Sequence, residues 1–304
     1  MFLYLPVALT SVNTIIILGI GLSIGLLSGL FGVGGGFIIT PVLMMLGIPP
    51  TVAAASGANQ MVAASASGTY THWKMGNVDF KMGIYLLVGS FTGGFLGVYA
   101  IAALKAMGNA DFIIKLTYVL IPLTVGSYMV MESLQSIKRA RLGNGENEVP
   151  KKESRFKKFL KSLPFQTNFE KSGVRHSVLL PIIIGILVGI LAAIMGVGGG
   201  FIMVPIMLYL LDMPILVVVG TSLFQILFLV SEVTFLSAYA NHTVDFTLAL
   251  IMLIGSSVGA QLGSVMSKKM DAERIKILLA LLILGIGVKV LAELTLSPSI
   301  RLVF

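Results

Sequence analysis

Cysteine is absent from this sequence of 304 residues, and charge is scarce, since only 11% of the residues are Asp, Glu, Lys or Arg. Without cysteine the chain has no disulfides, no thiolate metal sites and no cysteine nucleophile. The three histidines lie far apart and match no metal-ligand spacing, so we expect no metal or cofactor. A soluble domain carries about 25% charged residues. A chain that is 56% hydrophobic, with a mean hydropathy of +0.98, has too little charge to cover a globular core.

The charges that are present are distributed unevenly. The first Asp, Glu, Lys or Arg is Lys74, and residues 178–267 contain only three formal charges, Asp212, Glu232 and Asp245. A helix needs about 20 apolar residues to cross a bilayer, so apolar stretches of this length indicate that lipid is the solvent. The apolar N-terminal stretch lacks the basic residues of a cleavable signal and predicts a retained first span. The sequence therefore predicts an all-α polytopic membrane protein.

An internal repeat organises the chain. Residues 32–38, Gly-Val-Gly-Gly-Gly-Phe-Ile, recur as residues 196–202 at an offset of 164, and a proline follows each copy. The tripeptide Val-Asp-Phe occurs at residues 78–80 and again at residues 244–246. Self-similarity of this kind indicates duplicated structural units. The matches predict two homologous repeats of about five helical segments each, hence 8–10 segments in all.

The predicted repeats span residues 1–136 and 178–304, and a basic loop over residues 137–177 joins them. Most segments are long enough to cross a bilayer, but the second segment of each repeat has only about eleven residues and must end inside the protein as a half-helix. The predicted segments are 12–31, 37–47, 51–73, 80–104 and 112–136 in the first repeat, and 178–195, 200–211, 215–240, 246–267 and 275–296 in the second.

Charge counting predicts the orientation of the repeats. Residues 133–177 contain eleven Lys and Arg against four Glu, which is +7 of the net +8 of the chain, and the positive-inside rule places such a loop in the cytoplasm. Inverted repeats put seventeen basic residues inside and three outside, whereas parallel repeats give thirteen and seven. The bias favours inverted repeats in a multi-pass protein of the cell (inner) membrane. It also argues against a nucleic-acid partner: the loop either contacts anionic lipid or, as we favour, is a solvated topology signal.

The two glycine-rich stretches predict breaks in the helices. Glycine costs about 1 kcal/mol relative to alanine inside a helix, and four of the five residues from Gly32 to Gly36 are glycine. Each break leaves backbone N–H groups free at the start of a half-helix, where the helix dipole attracts anions. Two breaks from opposed repeats predict an anion site at the midplane, and the alternative is that the glycines only let helices pack closely. The candidate substrate-binding glycines are Gly34, Gly35, Gly36, Gly198, Gly199 and Gly200.

Polar residues follow the half-helices in both repeats. Their hydroxyl and amide N–H groups can bind an anion without a permanent charge, and the alternative is hydrogen bonding between helices. Glu232 is the only acid deep within a predicted span, which makes it a candidate for coupling transport to protons, with Lys289 as a potential partner. The candidate substrate-binding side chains are Ser56, Asn59 and Gln60 in the first repeat, and Thr221, Ser222 and Gln225 in the second.

The paired G-x-G-G-G-[FI]…P stretches, with Gly220-Thr221-Ser222-Leu223 in the second repeat, resemble the TauE/SafE sulfite exporter family. The resemblance covers nearly the whole chain except residues 133–177. It implies a membrane transporter that exports sulfur-containing anions such as sulfite and organosulfonates. One departure is that residues 54–57 of the first repeat read Ala-Ala-Ser-Gly where the second reads Gly-Thr-Ser-Leu, so the two sides of the site are chemically unequal.

The leading hypothesis is therefore a secondary transporter, and we expect no enzymatic activity. The sequence contains no nucleotide-binding G-x-x-x-x-G-K-[ST] motif, so ion gradients would supply the energy. Two alternatives remain open. One is transport of another small anion or a carboxylate. The other is an intramembrane serine enzyme built on Ser56 and His242, which lacks a further partner residue. The small-residue helix faces also leave a homodimer open.

Overall fold

The computed structural model describes residues 2–5, 10–141, 164–195, 198–241 and 246–296, and these residues are mostly helical. Six helices are long and apolar enough to cross a membrane. The predicted all-α polytopic fold is confirmed, and the chain is a multi-pass membrane protein. The ten helices of these ranges are α1 (Thr14–Phe31), α2 (Gly36–Met45), α3 (Pro50–Lys74), α4 (Phe80–Ala106), α5 (Ala110–Arg141), α6 (Leu179–Met195), α7 (Gly200–Tyr209), α8 (Ile215–Asn241), α9 (Phe246–Ser267) and α10 (Ala272–Leu296).

Local signals at the helix ends explain these boundaries. Asn13 caps α1 by accepting a hydrogen bond from the Ile15 backbone N–H (3.0 Å). Gly32 ends the same helix in the left-handed conformation, with φ 73°. Pro50 is the first residue of α3, where its missing N–H leaves no intrahelical bond unmade. The bounds lie close to the predicted segments, and the largest difference is that α5 continues to Arg141 instead of ending at residue 136.

Two short β-hairpins depart from the predicted all-helical organisation. The first precedes α1, which therefore begins at Thr14 and not at residue 12. The second lies inside the predicted basic loop. The C-terminal end of this loop, which we expected to be a solvated topology signal, is therefore folded. Residues 142–163 of that loop lie outside the described residues. The hairpins pair β1 (Phe2–Leu5) with β2 (Thr10–Asn13) and β3 (Gln166–Phe169) with β4 (Val174–Ser177), both antiparallel.

The two halves of the chain pack against each other through corresponding helices. Helix α1 packs against α9, and α6 packs against α4, so the first helix of each half contacts the fourth helix of the other. Helix α3 packs against α8, and α5 packs against α10. The homology of the repeats and their opposite orientation stay predictions. The short helices α2 and α7 pack on α3 and α8, respectively.

Glycines set the close approach of the first and fourth helices. A Cβ atom on Gly89 of α4 would overlap the backbone carbonyl of Ile182 on α6. In the same way, a Cβ atom on Gly259 of α9 would overlap the carbonyl of Leu22 on α1. Small residues permit helices to approach to this distance in a membrane. These glycines therefore allow α4 to pack closely against α6 and α9 to pack closely against α1.

Candidate functional site

The glycine-rich stretches connect α1 to α2 and α6 to α7. Gly34 and Gly35 have φ angles of 76° and 78°, and Gly198 and Gly199 have φ angles of 66° and 72°. Glycine adopts these left-handed values readily, whereas a side chain makes them costly. Consecutive residues in this conformation cannot continue a right-handed helix. The helices therefore break at the glycine-rich motifs, as predicted.

The two stretches contact each other. The rings of Phe37 and Phe201, at the starts of α2 and α7, stack with their centroids 5.5 Å apart and their planes at 22°. Gly200 lies so close to the carbonyl oxygen of Val33 that a Cβ atom would overlap it. We call residues 32–36 and 198–200 the glycine junction. It contains all six candidate glycines, and all six are buried.

The glycine junction brings together the N-termini of α2 and α7. The N-cap residues of these helices are Gly35 and Gly199, which have no side chain to accept a hydrogen bond from the first N–H groups. The first N–H groups of an α-helix have no acceptor within the helix, and the helix dipole adds about half a positive charge at this end. Two N-termini at one place therefore form an environment that attracts an anion without an ionised side chain.

Two apolar side chains close the glycine junction. Met61 of α3 and Ile226 of α8 both reach it: a Cβ atom on Gly198 would lie 2.9 Å from Met61 Cε and 2.9 Å from Ile226 Cγ2. The same two side chains are the nearest neighbours of Gly34, and they form a buried cluster with Val230. Neither residue is distinctive in the sequence, because apolar residues are the common type in these helices.

The hydroxyl groups of Ser222 and Thr221 form hydrogen bonds within the protein. Ser222 Oγ donates to the carbonyl oxygen of Gly32 (2.6 Å), which ties α8 directly to the first helix break. Thr221 Oγ1 accepts a hydrogen bond from the backbone N–H of Asp79 (2.9 Å) at the start of α4. Ser222 thus lies at the glycine junction, whereas Thr221 lies at the interface with the α3–α4 connection.

The amide groups of Gln225 and Gln60 are fully buried, and their hydrogen bonds are incomplete. Gln225 Nε2 donates to Ser90 Oγ of α4 (2.7 Å), while Gln225 Oε1 has no partner. Among the described side chains and backbone groups, neither Gln60 Nε2 nor Gln60 Oε1 has a partner. The side chains of Ser56 and Asn59 lie outside the described part of the structure. Ser90 was not predicted as a site residue, although it lies among small residues on α4, with Gly-Ser at 89–90 and Gly-Gly at 93–94.

Glu232 lies on the side of α8 that faces α4. Its Oε2 atom is buried without a hydrogen-bond partner, and a Cβ atom on Gly94 of α4 would lie 2.9 Å from it. Lys289 is exposed on α10, and the described side chains form no ion pair between it and Glu232. The potential pairing with Lys289 is therefore not observed. Glu232 shares its face of α8 with Gln225, so the α4–α8 interface carries a stripe of polar side chains.

Asp79 is a buried residue whose importance the sequence analysis missed. Its Oδ1 atom accepts from the backbone N–H of Met82 (3.0 Å) and caps α4. Its Oδ2 atom accepts from the backbone N–H of Ser172 (3.2 Å) and from the Ser172 hydroxyl, in the turn between β3 and β4. The repeated Val-Asp-Phe tripeptide contained the signal, since Asp before a helix is a common N-cap. Asp79 therefore fastens the second hairpin to α4.

Comparisons with known proteins match nearly the whole helical part of the chain. The family model described as "Sulfite exporter TauE/SafE" matches residues 17–290. The probable membrane transporter protein YunE of Bacillus subtilis is 28% identical over 288 residues, which cover 92% of this chain and 97% of YunE. The probable membrane transporter protein YjnA of the same species is 26% identical over 272 residues, which cover 89% of this chain and 97% of YjnA.

More distant similarity extends to plants. The sulfite exporter TauE/SafE family protein 3 of Arabidopsis thaliana is 26% identical over 131 residues, which cover 42% of this chain and 28% of that protein. No solved structure matches the chain. The similarity thus rests on sequence, and the matched residues include both glycine-rich stretches.

Proposed function

Because the chain belongs to the sulfite exporter TauE/SafE family, we propose that this membrane transporter exports small sulfur-containing anions such as sulfite or organosulfonates. YunE and YjnA are named as probable membrane transporters and carry no substrate in their names. The choice of a sulfur anion is supported by the name of the family and by the chemistry of the glycine junction.

The observation that carries this proposal is the meeting of the α2 and α7 N-termini. Each N-terminus contributes about half a positive charge, so the pair attracts a monoanion about as strongly as one weak cation would. A fixed Lys or Arg would be costly in the membrane and would hold the anion more tightly. Partial charges suit a transporter, because the substrate must be released as well as bound.

Movement of the substrate requires the glycine junction to open. Met61 and Ile226 cover it in this conformation, so an anion reaches the N-termini only after these side chains move. We propose that α3 and α8, which carry them, move relative to the junction and open it to one side of the membrane at a time. Gln60, Ser222 and Gln225 lie on the same two helices and would line the opened site, together with the other candidates Ser56, Asn59 and Thr221.

The proposal is tested by flux through purified protein in vesicles. Labelled sulfite, thiosulfate and a small sulfonate should cross vesicles that contain the protein faster than protein-free vesicles. Small carboxylates and inorganic phosphate serve as the competing anions. Flux of carboxylates alone would replace the sulfur-anion proposal with transport of another anion, and flux of none of these anions would contradict it. Export is distinguished from uptake by comparing right-side-out with inside-out membrane vesicles.

Glu232 is proposed to couple transport to protons. Its partly buried carboxyl has an oxygen without a partner and can bind and release a proton during the transport cycle. Replacing Glu232 by Gln should abolish accumulation of sulfite against its gradient when a pH gradient is imposed, while exchange of labelled for unlabelled sulfite continues. The matched control is Glu273→Gln, which alters an exposed acid on α10. Undiminished accumulation in the Glu232 variant would exclude this role.

The arrangement in the cell follows from the same proposal. We propose the inner membrane as the location, with the loop over residues 137–177 in the cytoplasm and the repeats at residues 1–136 and 178–304 inverted. The excess of basic residues in that loop supports this orientation. A homodimer through helix faces rich in small residues is compatible with this arrangement.

A further inference from the structure

The amide group of Gln225 has a fixed direction. Its Nε2 atom lies 2.7 Å from Ser90 Oγ, and Ser90 Oγ lies 2.7 Å from the carbonyl oxygen of Leu86. A carbonyl oxygen can only accept, so the Ser90 proton points to Leu86 and Ser90 offers Gln225 only lone pairs. If the amide were reversed, Gln225 Oε1 would face Ser90 Oγ. The single hydroxyl proton of Ser90 could not be donated both to this oxygen and to the carbonyl oxygen of Leu86, so one of the two short contacts would join two acceptors. The nitrogen of Gln225 must therefore face Ser90.

The consequence is that Gln225 presents its oxygen, an acceptor, as the free group. Gln225 is fully buried, and its Oε1 has no hydrogen-bond partner in the part of the chain that the structure describes. Buried polar atoms without partners are rare in native proteins because leaving them unpaired is unfavourable. This acceptor is thus suited to a donor that the described residues do not supply.

Gln225 lies on α8 between two residues that contact the glycine junction. The next residue, Ile226, contacts Gly34, Gly198 and Gly200, and Ser222 one turn earlier donates to Gly32. A second buried amide without a partner among the described residues occurs on α3, where Gln60 directly precedes Met61. The backbone N–H donors of the two half-helices therefore have buried amide groups next to them in the chain segments that cover the junction, and one of these amides is restricted to accepting.

We propose that the glycine junction selects a monoanion that keeps a hydrogen-bond donor, such as hydrogensulfite, and that Ser90 is the positioning residue for this selectivity. This inference rests on the proposed function. The half-helix N–H groups bind the anionic oxygens, and Gln225 Oε1 accepts the O–H of the substrate. An oxyanion without a proton would place one of its oxygens against Gln225 Oε1. Both atoms are acceptors, so binding of this anion is disfavoured.

Methanesulfinate provides a matched ligand for the test. It has the same charge and nearly the same shape as hydrogensulfite, but a methyl group replaces the O–H. Both anions are measured as inhibitors of labelled sulfite flux in proteoliposomes, at one pH low enough for hydrogensulfite to predominate. We expect the wild-type protein to bind hydrogensulfite about ten- to a hundredfold more tightly than methanesulfinate, because the methyl group leaves Gln225 Oε1 unpaired.

The positioning role of Ser90 is tested by the ratio of the two affinities. In Ser90→Ala the amide of Gln225 is free to turn its N–H to the ligand, so the preference should fall to within about threefold. Ser90→Thr retains the hydroxyl group and should restore the preference. If the role of Ser90 were purely structural, Ser90→Ala would lower the affinities for both ligands equally and leave their ratio unchanged. If Ser90→Ala does not fold, Gln225→Met provides the same test by removing the acceptor.

The control is Thr92→Ala on the same helix. Thr92 donates to the carbonyl oxygen of Val88 (3.2 Å), as Ser90 does to Leu86, but it is exposed and contacts no amide of α8. Its replacement should leave the ratio at the wild-type value. Equal wild-type affinities for the two anions, or an unchanged ratio in folded Ser90→Ala, would overturn the selectivity while leaving sulfur-anion transport intact. Absence of flux and binding for all sulfur anions would instead remove the proposed function itself.

Discussion

Replacement of Gly200 by alanine is expected to reduce anion flux by more than about tenfold. A Cβ atom at this position would overlap the backbone carbonyl of Val33 and would lie 2.5 Å from Ile226 Cδ1. Backbone atoms cannot turn aside as the end of a side chain can, so the two glycine stretches would be forced apart. Overpacking of this kind costs about 1–3 kcal/mol. Gly200 does not have a positive φ angle, so the effect arises from the contact and not from backbone strain.

The measurement is sulfite flux in proteoliposomes together with the melting temperature of the purified protein. The controls are Gly19→Ala in α1 and Gly285→Ala in α10, where an added Cβ atom meets nothing within 4 Å. Both should keep wild-type flux. Gly89→Ala separates loss of the site from loss of folding, because it disturbs the α4–α6 interface alone and should lower stability first. Wild-type flux in Gly200→Ala would show that the two stretches need not touch for transport.

The helices and their breaks could be predicted because their physical causes are local. Consecutive glycines stop a helix wherever they occur, and apolar stretches in this chain have no stable alternative to spanning the membrane. The segment predicted over residues 215–240 is observed as Ile215–Asn241, and the predicted half-helix that begins at residue 200 begins at Gly200. Local composition was sufficient for both.

The partners of the candidate side chains could not be predicted, because they depend on packing between distant parts of the chain. Gln225 was expected to offer its N–H group to an anion, yet Ser90, 135 residues away in sequence, takes that group. Met61 and Ile226 do not differ in the sequence from other apolar residues, and only the fold shows that they cover the glycine junction. The β3–β4 hairpin was hidden in the same way, since the charges of the basic loop dominated its composition and its contact with Asp79 is also distant in sequence.

Replacement of Asp79 by alanine is expected to destabilise the protein by about 3 kcal/mol or more. The change removes the N-cap of α4, which is typically worth about 1 kcal/mol, and it also removes the acceptor of two donors from Ser172. Hydrogen bonds to a charged group contribute about 1.5–3 kcal/mol each, and the buried N–H of Ser172 would be left unpaired. The melting temperature should fall, and the β3–β4 hairpin should detach. Trypsin should then cleave the otherwise native protein faster at Lys171 and Arg175.

Two further substitutions separate the contribution of the α4 cap from that of the Ser172 contacts. Ser172→Ala removes only the hydroxyl contact and should cost about 1.5–3 kcal/mol. Asp79→Asn should fall between it and Asp79→Ala, because an amide can still cap α4 through its oxygen but loses one acceptor. The matched control is Asp271→Ala: Asp271 also directly precedes a helix, but it is exposed and pairs with Arg274 (3.1 Å) at the surface, where such pairs contribute little. If Asp79→Ala unfolds at the wild-type temperature and resists trypsin equally, the hairpin is held by other contacts, of which the Lys81 Nζ bond to the carbonyl oxygen of Asn168 (3.0 Å) is the first to examine.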